Sequence, residues 1–137
     1  MNREAERRML QGAVALACIV PLAIGALGVI RGPAMLHGVE GVPADLDSHF
    51  RYLSGLLFGL GLGFVSCIGK IERRGLRFRL LGAIVVAGGV GRLVSLADAG
   101  VPGTGHLFGL AMELGVVPLL MLWQAGLARR RSAGPGR

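Results

Sequence analysis

Four long apolar segments, separated by polar stretches, dominate the pattern of hydrophobic and polar positions along the chain. They run from about residue 9 to 30, 52 to 68, 80 to 97 and 107 to 127. A helix needs about 20 apolar residues to cross the hydrocarbon core of a bilayer, and each segment is near that length. The pattern therefore predicts an all-α integral membrane protein, a four-helix bundle whose transmembrane domain covers residues 9–127.

Composition supports helices that pack closely in lipid. Of the 137 residues, 53% are hydrophobic but only 5% are aromatic, and 24 are glycine. Small residues let the backbones of membrane helices approach each other closely. Cys18 and Cys67 both fall inside apolar segments without metal-site spacing, so we expect them to be small buried hydrophobic residues.

The net charge of +7 raises the question of a nucleic-acid partner, which the positions of the basic residues answer. All but three of the 15 basic residues lie in three clusters, and each cluster adjoins an apolar segment. The clusters are Arg3, Arg7 and Arg8; Lys70, Arg73, Arg74, Arg77 and Arg79; and Arg129, Arg130, Arg131 and Arg137. This distribution is typical of a membrane protein, so we predict the lipid bilayer as a partner and no nucleic acid.

Orientation follows from the same clusters. Basic residues are enriched in cytoplasmic loops, so the N-terminus, the loop at 70–79 and the C-terminus are predicted to be cytoplasmic. Residues 1–8 form a basic cytoplasmic N-terminus, and residues 128–137 have the composition of a basic disordered tail. The loop that leads into "LDSHFRYLSG", residues 46–55, is then predicted to face outward.

Three charged residues lie within or at the edge of the apolar segments: Arg51, Arg92 and Glu113. Such residues are costly in hydrocarbon and are functional candidates for that reason. Helical spacing places Glu113 on one face with Gly109, and counting residues from the segment ends places all three charges in the outer half of the bundle. We therefore predict that they meet there.

The residues predicted to form this polar cluster, and to bind a ligand if one is bound, are Asp47, His49, Arg51, Tyr52, Arg92, His106 and Glu113. The glycines predicted to pack helices are Gly55, Gly59, Gly63, Gly88 and Gly109. Two arginines beside one carboxylate would leave a surplus positive charge that favours an anion.

Three functions are compatible with such a cluster. The first is a binding or accessory protein with an outward-facing polar cavity for a small anionic or amphiphilic ligand. The second is a small membrane enzyme or proton-coupled carrier that uses Glu113 and a histidine, which as a carrier would require a homo-oligomer. The third is a purely structural buried ion pair of Arg92 and Glu113 in a membrane assembly subunit, because such pairs often specify packing. Whether the protein is an enzyme stays open at this stage.

Metal and cofactor chemistry have little support. Asp45, Asp47 and His49, with His37 and His106, are metal-ligand types, but their spacing matches no established metal site, so no metal is predicted. The glycine-rich stretches "GLGLG" and "GTGHLFG" lack the strand, turn and helix context of a nucleotide loop. No cofactor is predicted.

Three stretches carry a resemblance to a known family: "LDSHFRYLSGLLFGLGLGFVSCI", "FRLLGAIVVAGGVGRLVSL" and "MELGVVPLLMLWQ". They resemble the small bacterial membrane proteins of domain of unknown function 4345, and the likeness extends from Leu10 to Gln124. The resemblance implies a four-helix, multi-pass protein of the bacterial inner membrane. It implies no activity. Arg51, Arg92 and Glu113 all fall inside the resembling stretches.

Overall fold

The structure, a computed structural model, describes residues 2–36 and 38–132, and every regular element within these residues is helical. Helix α1 is Arg3–Arg31, a 3₁₀ turn follows at Gly32–Met35, α2 is Ala44–Ile68 and α3 is Gly75–Ala99. The fourth long helix consists of α4, Thr104–Ala111, a π turn at Met112–Val116, and α5, Val117–Ser132.

Each of the four long helical segments is long and apolar enough to cross a membrane. The segments contain 33, 25, 25 and 28 residues, all above the length that a bilayer core requires. The prediction of an all-α protein with four membrane-spanning helices is confirmed.

The helices extend further into polar sequence than the apolar pattern predicted. Helix α1 already begins at Arg3, and α2 begins at Ala44, so "LDSHFRYLSG" is helical throughout. Helix α5 continues to Ser132, so residues 128–132, predicted to be disordered, are helical, whereas residues 133–137 lie outside the described part. Hydropathy marks only the apolar middle of a helix, and charged end turns are stabilised by the helix dipole.

Residues 12–68 form one compact unit, the first helix pair. Its two long helices approach closely where glycines leave room. A Cβ atom added at Gly25 would lie 2.7 Å from the backbone nitrogen of Phe58, and one at Gly61 would lie 2.9 Å from Cδ2 of Leu22. Cys18 and Cys67 are free and buried in this unit, as expected. The close approach of α1 and α2 thus depends on glycines from both helices.

The predicted glycine stripe needs correction. A Cβ at Gly55 would lie in ordinary contact with Val29, at 3.8 Å, but at Gly59 and Gly88 it would meet nothing within 4 Å among the described residues. Gly63 is half-buried, and its carbonyl accepts a hydrogen bond from Ser66 Oγ at 2.6 Å. Spacing of four residues identifies a helix face but not the point at which a second backbone crosses it.

Residues 2–11 and 69–132 belong to the other compact unit, the second helix pair. Here α3 packs on the fourth long helix, with Gly82 facing Met121 and Gly89 facing Leu114. At the end of the unit where α5 finishes, the side chain of Gln124 is fully buried and donates a hydrogen bond to the carbonyl of Ile71 at 2.9 Å. This bond ties α5 to the turn that precedes α3.

The π turn at Met112–Val116 has a local cause in the sequence. Pro118 lies two residues after it, has no backbone N–H, and in a regular α-helix its ring would collide with the carbonyl four residues earlier. The N–H of Val117 instead bonds to the carbonyl of Met112, five residues back. The wider turn relieves the collision and places Glu113 inside an irregular stretch of helix.

We predict that Gly25→Ala lowers the melting temperature of the purified protein in a mild detergent. The added methyl group would meet backbone atoms of α2, which cannot move aside as a side chain can. Gly12→Ala is the matched control in the same helix, because a Cβ there has open space, and alanine normally stabilises a helix by about 0.5–1 kcal/mol over glycine. Equal melting temperatures for the two variants would show that α1 and α2 do not approach as described.

Candidate functional site

Arg51 lies in the second turn of α2 and is held by the carboxylate one turn earlier. Its Nε donates to Asp47 Oδ2 at 2.8 Å, and its Nη2 donates to Asp47 Oδ1 at 3.3 Å. Both side chains are a little over one-third exposed. This two-pronged pairing fixes the plane of the guanidinium and directs its third nitrogen toward α1.

That third nitrogen caps the end of α1. Nη1 of Arg51 donates to the carbonyl of Val29 at 2.6 Å and to the carbonyl of Ile30 at 3.0 Å. The last carbonyls of a helix have no N–H partner within it, so a donor from outside is needed. Arg51 supplies that donor from the next helix and thereby holds the turn between α1 and α2.

Gly32 is the residue that lets the guanidinium reach these carbonyls. Its φ of +62° lies in the left-handed region, which side chains disfavour. A Cβ there would also lie 2.6 Å from Arg51 Nη2 and 2.7 Å from Asp47 Oδ1. The glycine therefore serves both the chain reversal after α1 and the space that the ion pair occupies.

Arg92 of α3 and Glu113 of the π turn form the predicted ion pair. Nε of Arg92 donates to both carboxylate oxygens, at 3.0 Å to Oε1 and 2.9 Å to Oε2. The pair is half-buried, not buried as predicted, because the side chains are 39% and 16% exposed. Gly109 lies beside the pair, where an added Cβ would make an ordinary contact with the guanidinium carbon at 3.8 Å.

Arg92 keeps unused hydrogen-bonding capacity. Among residues 2–36 and 38–132, neither Nη1 nor Nη2 of Arg92 has a hydrogen-bond partner. The side chain lines a small cavity of about 60 Å³ whose other lining residues are Ser95, Leu96, Pro102, His106 and Leu110. The site thus combines four unpaired N–H donors of one guanidinium with a histidine and a hydroxyl group.

The other predicted cluster residues are placed as follows. His106 shares the small cavity with Arg92, in the second helix pair. His49 and Tyr52 are exposed on α2 in the first helix pair, where Arg51 and Asp47 also lie. The structure brings together Arg51 with Asp47, and Arg92 with Glu113 and His106. A single cluster that contains both arginines stays a prediction.

The predicted surplus of positive charge at the two arginines is not found in their ion pairs. Each arginine has its own carboxylate, Asp47 for Arg51 and Glu113 for Arg92, so the expected surplus of two cations over one anion is absent from these pairs. The case for an anion at Arg92 rests instead on its unpaired donors. Among the described residues no three His, Cys, Asp or Glu side chains are grouped so as to hold a metal ion, and His37 lies outside those residues.

A second polar cluster, at the opposite end of α3 and α5, was missed from the sequence. Glu6 accepts hydrogen bonds from Arg130 and, at 3.2 Å, from the indole N–H of Trp123. Glu72 accepts one from Arg131 and lies 3.9 Å from Arg7. The sequence feature that could have indicated this cluster is a single glutamate inside a basic run, as in "AERR" and "IERR".

Comparison with known proteins identifies one family for most of the chain. No curated protein and no solved structure is similar enough to match the chain. Residues 9–124 match the family described as Domain of unknown function (DUF4345), a range that includes all four long helices in whole or in part, both arginine pairs and the small cavity. The match covers well over half of the chain, and the protein therefore belongs to that family.

Proposed function

We propose that the protein is a multi-pass protein of the bacterial inner membrane that binds the anionic head group of a small amphiphile at Arg92. The observation that carries the proposal is the unpaired edge of the Arg92 guanidinium beside a cavity that also contains Ser95 and His106. Two parallel N–H groups of an arginine match the two oxygens of a carboxylate or phosphate.

The size of the cavity supports a head group and not a whole ligand. Pockets that enclose drug-sized molecules measure about 300–1,000 Å³, well above the 60 Å³ found here. An apolar tail would have to leave the cavity and lie along the helix surface. Exposed apolar side chains are present on both helices beside it, namely Val94 on α3 and Phe108 on α4. An amphiphile with a small anionic end fits these dimensions better than a large hydrophilic anion.

A second candidate function uses Glu113 for proton transfer, in a membrane enzyme or carrier with His106 as partner. The position of Glu113 in a π turn favours it, since π turns in helices are frequent at functional sites. Such a carrier would work as a homo-oligomer, and the open faces at Gly59 and Gly88 leave room for a second copy. A purely structural role for the Arg92–Glu113 pair is the third candidate.

For orientation we propose cytoplasmic termini and an outward-facing cavity, because the basic clusters adjoin the termini and the turn before α3. A C-terminal reporter enzyme that is active only in the periplasm should therefore be silent. The same reporter inserted at Gly41, in the loop before α2, should be active. The opposite pair of results would reverse the orientation of the cavity.

Ligand binding is tested with decanoate and with decanol, which has the same chain length and no charge. In an uncharged detergent, decanoate should raise the melting temperature in proportion to the logarithm of its concentration above the Kd, and decanol should not. Arg92→Lys keeps the charge but loses the two parallel N–H donors of the guanidinium, so it should weaken decanoate binding by about tenfold. Equal stabilisation by both compounds would contradict an anion site at Arg92.

The Arg92–Glu113 pair is tested by a double-mutant cycle of thermal or denaturant unfolding in detergent. Glu113→Gln and Arg92→Gln should each destabilise the protein by about 1–3 kcal/mol, between the values for exposed and for buried pairs. The double variant should recover part of the loss, because neither charge is then left alone. Strict additivity would mean that the two residues are not partners and would favour the proton-transfer function of Glu113.

A further inference from the structure

A larger cleft lies at the opposite end of the second helix pair from Arg92. Its volume is about 370 Å³, within the range of small-molecule pockets. The first turns of α1, the turn before α3 and the end of α5 surround it. The residues that line it are Arg3, Glu4, Arg7, Glu72, Leu127, Arg130 and Arg131. We name it the basic cleft.

Positive charge exceeds negative charge in the basic cleft. Four of its lining residues are arginines and two are glutamates. Two of the six are already paired outside the lining, Glu4 with Arg8 at 3.0 Å and Arg130 with Glu6. In the part of the chain that the structure describes, Arg3 has no ion-pair or hydrogen-bond partner. The remaining three arginines face the one carboxylate of Glu72, a surplus that favours a bound anion, and arginine is the side chain best suited to a phosphate group.

Two buried polar atoms at the cleft have no partner among the described residues: Nε of Arg7 and Oε2 of Glu72. The Glu72 side chain is only 5% exposed, and its other oxygen is taken by Arg131. A buried donor or acceptor left unpaired is costly, so each of the two atoms is stabilised by a partner that reaches it. The arginine requires an acceptor, and the carboxylate oxygen requires a donor.

We propose that the basic cleft binds a phosphodiester that carries a neighbouring hydroxyl or ammonium donor. The phosphate oxygens accept from Arg3 and Arg7, and a rotation of the Glu72 carboxylate, whose Oε2 has no exposed surface, lets the donor group bond to that oxygen. This is the chemistry of a glycerophospholipid head group, and Leu127 provides an apolar wall beside the charged residues. The cleft lies at the end of membrane-spanning helices, which is the level of lipid head groups, where basic pockets between helices hold anionic lipids.

The test measures binding of dioctanoyl phosphatidylglycerol to the full-length protein in an uncharged detergent, by native mass spectrometry and by calorimetric titration. Dioctanoyl phosphatidylmethanol is the matched ligand, because it has the same charge and acyl chains but no hydroxyl group. The wild-type protein should bind phosphatidylglycerol at least about tenfold more tightly. Equal affinity for the two lipids would overturn the assignment of the donor to Glu72, and with it the proposal.

Variants locate the site. Arg3→Gln and Arg7→Lys should each weaken binding of phosphatidylglycerol by about tenfold or more. Arg129→Gln is the matched control, because it removes the same charge from an exposed residue of α5 outside the cleft. It should change affinity by no more than about twofold. If it weakens binding as much as Arg3→Gln does, the attraction is only that of a basic surface for anionic lipid.

The source of the phosphodiester is decided with glycerophosphoglycerol, which is the same head group without acyl chains. Binding of phosphatidylglycerol that is at least about a hundredfold tighter would assign the cleft to a membrane lipid, because acyl chains then add apolar contact. Equal affinity would assign it to a soluble phosphodiester. Absence of binding by both compounds at millimolar concentration would overturn the proposal.

Discussion

A guanidinium group near hydrocarbon has to find acceptors for its N–H groups, because each unpaired donor there costs several kcal/mol. Both helix pairs are organised around this requirement. Arg51 uses a carboxylate on its own helix and two main-chain carbonyls at the end of α1. Arg92 uses a carboxylate from the facing helix and leaves part of its edge unpaired. The first arginine uses four of its five N–H donors within the protein, whereas the second leaves four unpaired.

At the opposite end of the second helix pair, the buried charged groups are carboxylates. The side chains of Glu6 and Glu72 are 12% and 5% exposed, and the arginines around them reach toward solvent. A buried carboxylate is stable only when charged donors surround it. Because several arginines converge on few acids, the end of the unit carries a net positive charge, which a lone ion pair would not produce.

The four membrane helices and the Arg92–Glu113 pair could be predicted from the sequence because they depend on local quantities. Segment length decides whether a helix can span, and residue counts from the segment ends decide the depth of a charge. The acceptors of Arg51 could not be predicted in this way, because they are main-chain carbonyls that no residue type reveals.

The glycine contacts and the second polar cluster depend on where two backbones meet. Gly25 and Gly61 pack tightly while Gly59 does not, although all three lie in equally apolar sequence. Glu6 and Glu72 lie in basic runs that resemble solvated surface, and only the fold brings α1, α5 and the turn before α3 together. Long-range placement of this kind is not contained in a periodic pattern.

The π turn at Met112–Val116 also sets the angular phase between the two halves of the fourth long helix. One extra residue in a turn rotates everything after it by about 100° relative to an uninterrupted α-helix. Glu113 must face Arg92, while Gln124 must face Ile71 at the far end of the same helix. Residues eleven apart lie within about 20° of each other in an uninterrupted α-helix, so the π turn offsets by about 100° two faces that would otherwise nearly coincide.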